Sequence, residues 1–246
     1  MLRTLLGTDL WIDQQSHMAF NLDTILLQDF VKIPAKAKTV LDLGTGAGPL
    51  MLYLSKKTRA KIIGVELQEE RYLQALHNIK LNHLENQLSV MHMDIKDLKM
   101  KDIDLIVSNP PFFKITETSN VNQSEDETIA RHEVMLTLEE LIEVASKSLK
   151  FGGYLTMIHR PERFGEIVLL LEKHRLTPKR VRFVHPYLNH HANHVLIEAM
   201  KQGSPGLNVI EPLILYHEKH IPTQELTDIY GGKKHVAHIA QSKRQT

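Results

Sequence analysis

A chain of 246 residues, 42% hydrophobic and 24% charged, is long enough to bury one large core and lies close to the globular average. It has no cysteine, which excludes disulfides and thiolate metal sites, and no apolar run near the ~20 residues of a bilayer span. Residues 1–11 carry one Arg, no long apolar stretch and no small-residue cleavage site, so a soluble cytoplasmic protein is expected. The net charge of +1 says less than its distribution. Residues 117–127 are acidic, whereas 173–182 and 231–244 are basic, a pattern compatible with a nucleic-acid partner and equally with solvated faces.

Residues 1–33 precede the first clear strand and read as a separate cap of short strands and one helix. From residue 38 onward, short β-branched runs alternate with helical stretches. Thr39–Leu43 reads as a buried strand and 49–57 as the helix after a glycine turn. Lys61–Glu66 is a second strand. Residues 69–82 form a helix whose Tyr72, Leu73, Leu76 and Ile79 fall at three-to-four spacing. Strands follow at 88–93 and Ile103–Ser108, then a helix at 138–149 with Gly152-Gly153 as its stop. A fifth strand at 154–159, a helix at Phe164–Lys173 and strands at 181–185 and 194–200 complete the series.

This alternation predicts a seven-stranded, mostly parallel sheet covered by helices. The loop 186–193 is too short for a crossover helix, so the last two strands should pair antiparallel at the sheet's edge. A short amphipathic helix should follow Thr223, and 231–246 reads as a disordered basic tail. The expected division is therefore 1–33, 34–230 and 231–246.

Asp42-Leu43-Gly44-Thr45-Gly46-Ala47-Gly48 follows a strand and opens a helix, where a ligand can approach backbone closely and an anion can meet helix N-terminal amides. Dinucleotide folds need G-x-G-x-x-G. From Gly44 the third glycine would fall on Pro49, and from Gly46 on Met51, so that pattern fails in both frames. D-x-G-x-G-x-G instead resembles motif I of class I S-adenosylmethionine methyltransferases, which implies S-adenosyl-L-methionine as cofactor and a Rossmann-like fold. Glu66 ends the second strand, where a carboxylate can accept from both ribose hydroxyls. Asp94 follows the third, where one can accept from an adenine amino group.

Asn109-Pro110-Pro111-Phe112 ends the fourth strand, on the side where open parallel sheets bind ligands. An amine conjugated to a ring or carbonyl is a poor nucleophile because its lone pair is delocalised. If the Asn109 side-chain oxygen and the Pro110 carbonyl both accept from that NH₂, the nitrogen is drawn toward tetrahedral geometry and its lone pair is freed. The two prolines stiffen the acceptors, and Phe112 offers a face for a planar base or amide. Methyl transfer to such an amine needs no strong general base.

N-P-P-[FY] is common to adenine-N6 nucleic-acid, guanine-N2 rRNA and glutamine-N5 protein methyltransferases. More of the chain narrows the choice. Phe20-Asn21-Leu22-Asp23, Val65-Glu66-Leu67-Gln68, Ser108 to Lys114, Ala130-Arg131-His132-Glu133, His159-Arg160-Pro161 and Pro178-Lys179-Arg180-Val181-Arg182-Phe183-Val184 together resemble the bacterial tRNA(Val) adenosine N6-methyltransferase family, in register from about residue 10 to Tyr230. The resemblance implies tRNA as partner and methylation of the adenosine 3′ of the anticodon. It implies catalytic roles for Asn109, Pro110 and Phe112, and cofactor contacts from Asp42, Gly44, Gly46, Glu66 and Asp94. Asp23 would lie near the methionine end of the cofactor. Arg131, after a polar loop at 114–128 that reads as a substrate lid, could meet a tRNA phosphate. Since that loop is acidic, Lys179, Arg180 and Arg182 are the expected source of phosphate attraction. His190, His191 and His194 lack an acidic or sulfur neighbour and read as a polar edge loop with no metal. Two alternatives stay open: a protein-glutamine methyltransferase, and a non-catalytic RNA-binding protein on the same fold.

Overall fold

The computed structural model describes residues 2–14, 22–110, 136–219 and 221–232. Five parallel strands form its centre: β3 (Thr39–Leu43), β4 (Lys61–Glu66), β5 (Leu88–His92), β6 (Ile103–Ser108) and β7 (Leu149–His159). The two strands beyond them, β8 (Leu176–His185) and β9 (His194–Lys201), pair antiparallel as their short loop demands. β9, the later of the two, takes the inner place and also pairs antiparallel with β7. Two short strands, β10 (Asn208–Val209) and β11 (Leu213–Ile214), lie parallel along the outer side of β8. Across the sheet the order is β10-β8-β9-β7-β6-β3-β4-β5. The chain builds outward from β3 through β4 to β5, then returns to the other side of β3 for β6. This places the topological switch, and hence the ligand crevice of an open parallel sheet, between β3 and β6.

Alternation along the strands divides the core into two layers. Val40, Leu105 and Val107 face one layer, and Leu41, Leu43 and Ile106 the other. The first layer is covered by α1 (Leu22–Phe30), α2 (Pro49–Ser55), α3 (Glu69–Leu81) and α6 (Gln224–Tyr230), which supply Ile25, Leu26, Leu52, Ile79, Leu226 and Ile229 among others. The second is covered by α4 (Leu138–Ser148) and α5 (Phe164–Lys173) through Leu141, Ile142, Ala145, Ile167 and Leu171. Start signals act where the sequence places them. Thr137 and Glu140 form a reciprocal capping box on α4, and the Thr223 hydroxyl accepts from Leu226 N to cap α6.

The N-terminal segment does not stand apart. Its hairpin, β1 (Leu2–Thr4) and β2 (Trp11–Asp13), sends Leu5, Leu10 and Ile12 into the first layer beside Val40 and Leu50. Backbone amides of Trp11 and Asp13 donate to the side chains of Asn82 and Asn78, both 2.8 Å away. The expectation of a separate cap is therefore corrected: a few short strands bury too little apolar surface alone, and this segment borrows the main core.

Two element boundaries also differ. α4 ends at Ser148, and β7 starts at Leu149 and runs through Gly152-Gly153, so the glycines do not stop the helix. Gly153 serves a close approach of strands instead, because a Cβ there would lie 2.8 Å from the Ile103 carbonyl oxygen, and Gly152 supplies a positive φ of 71°. β8 begins five residues before the expected 181, with Pro178 inside it, at a shift of register against β9 that spares the missing N–H.

Candidate active site

The crevice is lined first by the loop after β3. Gly44, Gly46 and Gly48 all have positive φ, at 75°, 58° and 83°, a backbone that favours glycine over residues with a Cβ. A Cβ on Gly44 or Gly46 would meet nothing within 4 Å, so these two glycines present an open face. The loop amides do not serve a phosphate, contrary to the general expectation for a glycine turn. Gly44 N and Thr45 N donate to Val65 O, Gly46 N to Glu66 Oε2 at 2.8 Å, and Gly48 N to Thr45 O. Donors already spent inside the loop cannot cradle an anion.

Glu66, at the end of β4, accepts from Gly46 N on one oxygen and from Gln68 N on the other, at 2.8 and 2.9 Å. Each carboxylate oxygen keeps a further acceptor site. A rigid acceptor pair beside an open glycine face fits a ribose diol, and its negative charge suits a cationic ligand better than a phosphate. Leu67 follows it, 41% exposed, an apolar surface for a flat ring that the residue pattern alone did not single out. Asp94 caps a 3-10 turn through Lys96 N at 2.8 Å and pairs with Lys96 Nζ at 3.3 Å. These residues fit the adenosine half of S-adenosylmethionine.

Asp42 plays another part. It is buried, and its Oδ2 accepts the Thr45 hydroxyl at 2.6 Å, so it braces the loop from beneath. Burial pushes its carboxyl up to about 7, the Thr45 hydrogen bond opposes this, and the charge of Glu66 adds to it. The folded chain thus holds a proton that the unfolded chain, with a value of 3.8, has already lost. The resulting stabilisation is complete below the unfolded value and disappears as pH rises through about 7. Urea unfolding of Asp42→Asn should show a weaker fall in stability between pH 4 and pH 8 than the parent chain shows; parallel curves would refute this.

Thr45 is held from the other side by Gly64 of β4. A Cβ there would lie 2.6 Å from Met51 Sδ and 2.7 Å from Thr45 Cγ2. Gly64→Ala is expected to cost roughly 1–3 kcal/mol by overpacking and to weaken cofactor binding by displacing Thr45. Denaturant unfolding together with cofactor titration reads both effects.

On the far side of the switch, β6 ends at Ser108, whose hydroxyl donates to Leu43 O at 2.8 Å and ties the two crevice strands together. Asn109 follows, and its Nδ2 donates to the Thr24 hydroxyl of α1 at 3.3 Å. With the amide nitrogen engaged by Thr24, Oδ1 remains as the acceptor for an incoming amine. Asp23, the preceding residue of α1, lies 2.8 Å from His194 Nε2 at the start of β9, and both side chains are buried. This contact fastens the start of α1 to the sheet next to Thr24. Neither Thr24 nor His194 carried a sequence signal for this role, since the contacts span 85 residues and 171 residues of chain. Pro110 is the last described residue here. Pro111, Phe112, the loop 114–128 and Arg131 lie outside the described residues.

The basic stretch on β8, where phosphate attraction was expected, is largely tied into the fold. Arg180 is 8% exposed, sits 4.3 Å over the Phe30 ring, donates to Phe30 O at 2.7 Å and lies 3.5 Å from Glu198. Arg182 is spoken for by Glu225, at 2.5 Å, and by Glu211 O. Lys179 Nζ donates to Ser204 O at 2.8 Å. The expectation for Arg180 is withdrawn because a guanidinium buried against a carboxylate and a ring has no phosphate within reach. Among the described residues no cluster of three metal-ligating side chains occurs, and no helix is long and apolar enough to cross a membrane.

Comparison with known proteins is consistent with this geometry. Residues 16–175 match the family model for the methyltransferase small domain. The chain is similar to proteins named tRNA1(Val) (adenine(37)-N6)-methyltransferase. That of Christiangramia forsetii is 28% identical over 89% of this chain and 92% of its own length. That of Flavobacterium psychrophilum is 30% identical over 68% and 72%. In fold it is similar to a predicted O-methyltransferase from Agrobacterium tumefaciens, with a TM-score of 0.68 at 22% identity over 86% of this chain and 97% of that one. It is also similar to geranyl diphosphate C-methyltransferase from Streptomyces coelicolor, with a TM-score of 0.54 at 14% identity over 72% and 79%. The glycine loop and Glu66 on one side of the crevice and Asn109 on the other agree with these matches: the chain belongs to the methyltransferase small domain family and, within it, to the bacterial tRNA1(Val) (adenine(37)-N6)-methyltransferases.

Proposed function

We propose that this protein transfers a methyl group from S-adenosyl-L-methionine to the exocyclic N6 amine of an adenosine in tRNA, the one 3′ of the anticodon. The observation that carries the chemistry is Asn109 at the end of β6, its amide nitrogen held by Thr24, across the β3/β6 switch from Glu66 and the open glycine face. The substrate rests on the relatives, whose names specify adenine 37 of tRNA.

When bound, S-adenosylmethionine supplies an electrophilic methyl on a sulfonium centre. Gly44 and Gly46 would leave room for it, Glu66 would hold the ribose, Leu67 would offer a surface to the adenine and Asp94 would accept from its amino group. Asn109 Oδ1 and the Pro110 carbonyl accept from the substrate NH₂ and localise its lone pair. The amine proton leaves to solvent after transfer, so no buried base is required. Asp23 is a positioning residue, acting on Asn109 through the start of α1.

The test is incubation of the protein with methyl-labelled cofactor and unmodified bulk tRNA, followed by digestion to nucleosides. Label in N6-methyladenosine is expected. Label only in protein would favour glutamine methylation, and no transfer would favour a binding protein without activity.

A further inference from the structure

The crevice switch divides the carboxyl-end rim of the sheet into two halves. The β3, β4 and β5 half carries the glycine loop, Glu66 and Asp94. The other half runs from Asn109 after β6 to Arg160 after β7, then to the loop 186–193 between β8 and β9. β9 is antiparallel, so its first residues lie on this same rim. Lys179 does not: it lies six residues before the end of β8, roughly 20 Å back along the strand.

From Asn109 outward to the end of β8 there are three strand spacings, about 15 Å, a reach that suits nucleotides flanking a base presented to Asn109. Residues 186–194, Pro-Tyr-Leu-Asn-His-His-Ala-Asn-His, contain no carboxylate and offer imidazole, phenol and amide groups. The loop is braced from within. The Tyr187 ring lies 4.9 Å from that of His190 and 5.9 Å from that of Tyr216, and His185 Nδ1 donates to His190 O at 2.7 Å. Arg160 is exposed and ties the loop to the end of β7 by donating to Asn193 O at 3.1 Å. Its backbone N donates to Nδ1 of His159, which burial and the nearby Arg163 hold at about 4, hence neutral and able to accept. With its inner face so fixed, the loop turns Leu188 (75% exposed), Asn189 and His191 outward.

We propose that the loop 186–193 with Arg160 is the surface that holds unpaired nucleotides next to the target adenosine. This rests on the reading of the substrate as tRNA. The chemistry favours single-stranded bases over a duplex backbone: flat rings and amides recognise base faces and edges, whereas duplex binding demands a dense field of Lys and Arg. Arg160 supplies a cationic plane that can stack or meet a phosphate.

The experiment compares two variants of the full chain that change net charge equally, by two, at different places. One is Leu188→Glu with His191→Glu on the rim; the other is Lys179→Glu on mid-strand β8. Binding of an unmodified tRNA transcript is measured by filter retention at one salt concentration, alongside cofactor binding and Tm. The rim variant should bind tRNA about tenfold more weakly or worse, with cofactor affinity and Tm unchanged, while Lys179→Glu stays near the parent chain. Equal losses in both variants, no loss on the rim, or a larger loss at Lys179 overturns the proposal. If the parent chain binds tRNA without transferring methyl, the proposed function fails while the surface is still read out. If it binds no tRNA, the surface proposal falls with it.

Discussion

Asn109→Ala should lower kcat by roughly 10²–10³, the typical cost of removing one preorganised polar group, while cofactor affinity stays within a few-fold of the parent value. The separation follows from the sheet order. Asn109 follows β6, and the residues proposed to contact adenosine lie after β3, at the end of β4 and after β5, on the other side of the switch. A loss confined to KM would mean that Asn109 only binds the substrate, and near-normal turnover would remove it from the chemistry. Thr24→Val tests the same arrangement from one step away. It keeps the shape of the side chain and removes the acceptor for Asn109 Nδ2, so the amide is free to turn. A fall in kcat of about tenfold is expected, restored by Thr24→Ser, with KM for tRNA unchanged.

Arg180→Ala should destabilise the fold by roughly 3–5 kcal/mol, because it leaves Glu198 buried without its countercharge. Burial already pushes Glu198 above the usual carboxylate range, and Arg180 is the main influence holding it down. The loss should accordingly be larger at pH 8 than at pH 5, where the stranded carboxyl can take up a proton. Urea unfolding at both pH values measures this. The double variant Arg180→Met with Glu198→Met should recover most of the loss, as paired hydrophobic replacement of a buried ion pair often does. A fully folded, stable Arg180→Ala that binds tRNA poorly would restore the surface role that the sequence suggested.

The strands and most helices were legible because periodicity and capping act over a few residues. Thr39–Leu43, Lys61–Glu66, Ile103–Ser108 and Phe164–Lys173 stand at the expected bounds. What local pattern could not show was where strands meet after long loops. The insertion of β9 between β7 and β8 depends on sheet assembly, and the place of Pro178 inside β8 depends on a register shift against that neighbour. The same limit applied to the site. The placement of Gly44, Gly46 and Glu66 at strand ends was legible because it is contiguous with the strands, whereas Asp42, expected at the cofactor, is buried under the loop against Thr45. The basic run at 179–182 misled because β8 is packed on both faces, so that Arg180 and Val181 are both buried, Arg180 against Phe30 and Glu198. Charge in a sequence does not reveal which face it occupies.

The first core layer gathers side chains from Leu5 and Ile12 at one end of the sequence and from Leu226 and Ile229 near the other. During synthesis, then, the hairpin and α1 emerge before the other described elements, and their apolar faces are not fully covered until α6 has left the ribosome. The second layer, drawn from residues between Leu41 and Ala199, closes earlier. Folding should therefore pass through a stage with the sheet assembled and one face still wet, where Leu26, Leu27 and Phe30 are exposed to neighbouring chains. A chaperone that shields this face would act on the nascent chain before α6 docks, and removing α6 should lower soluble yield.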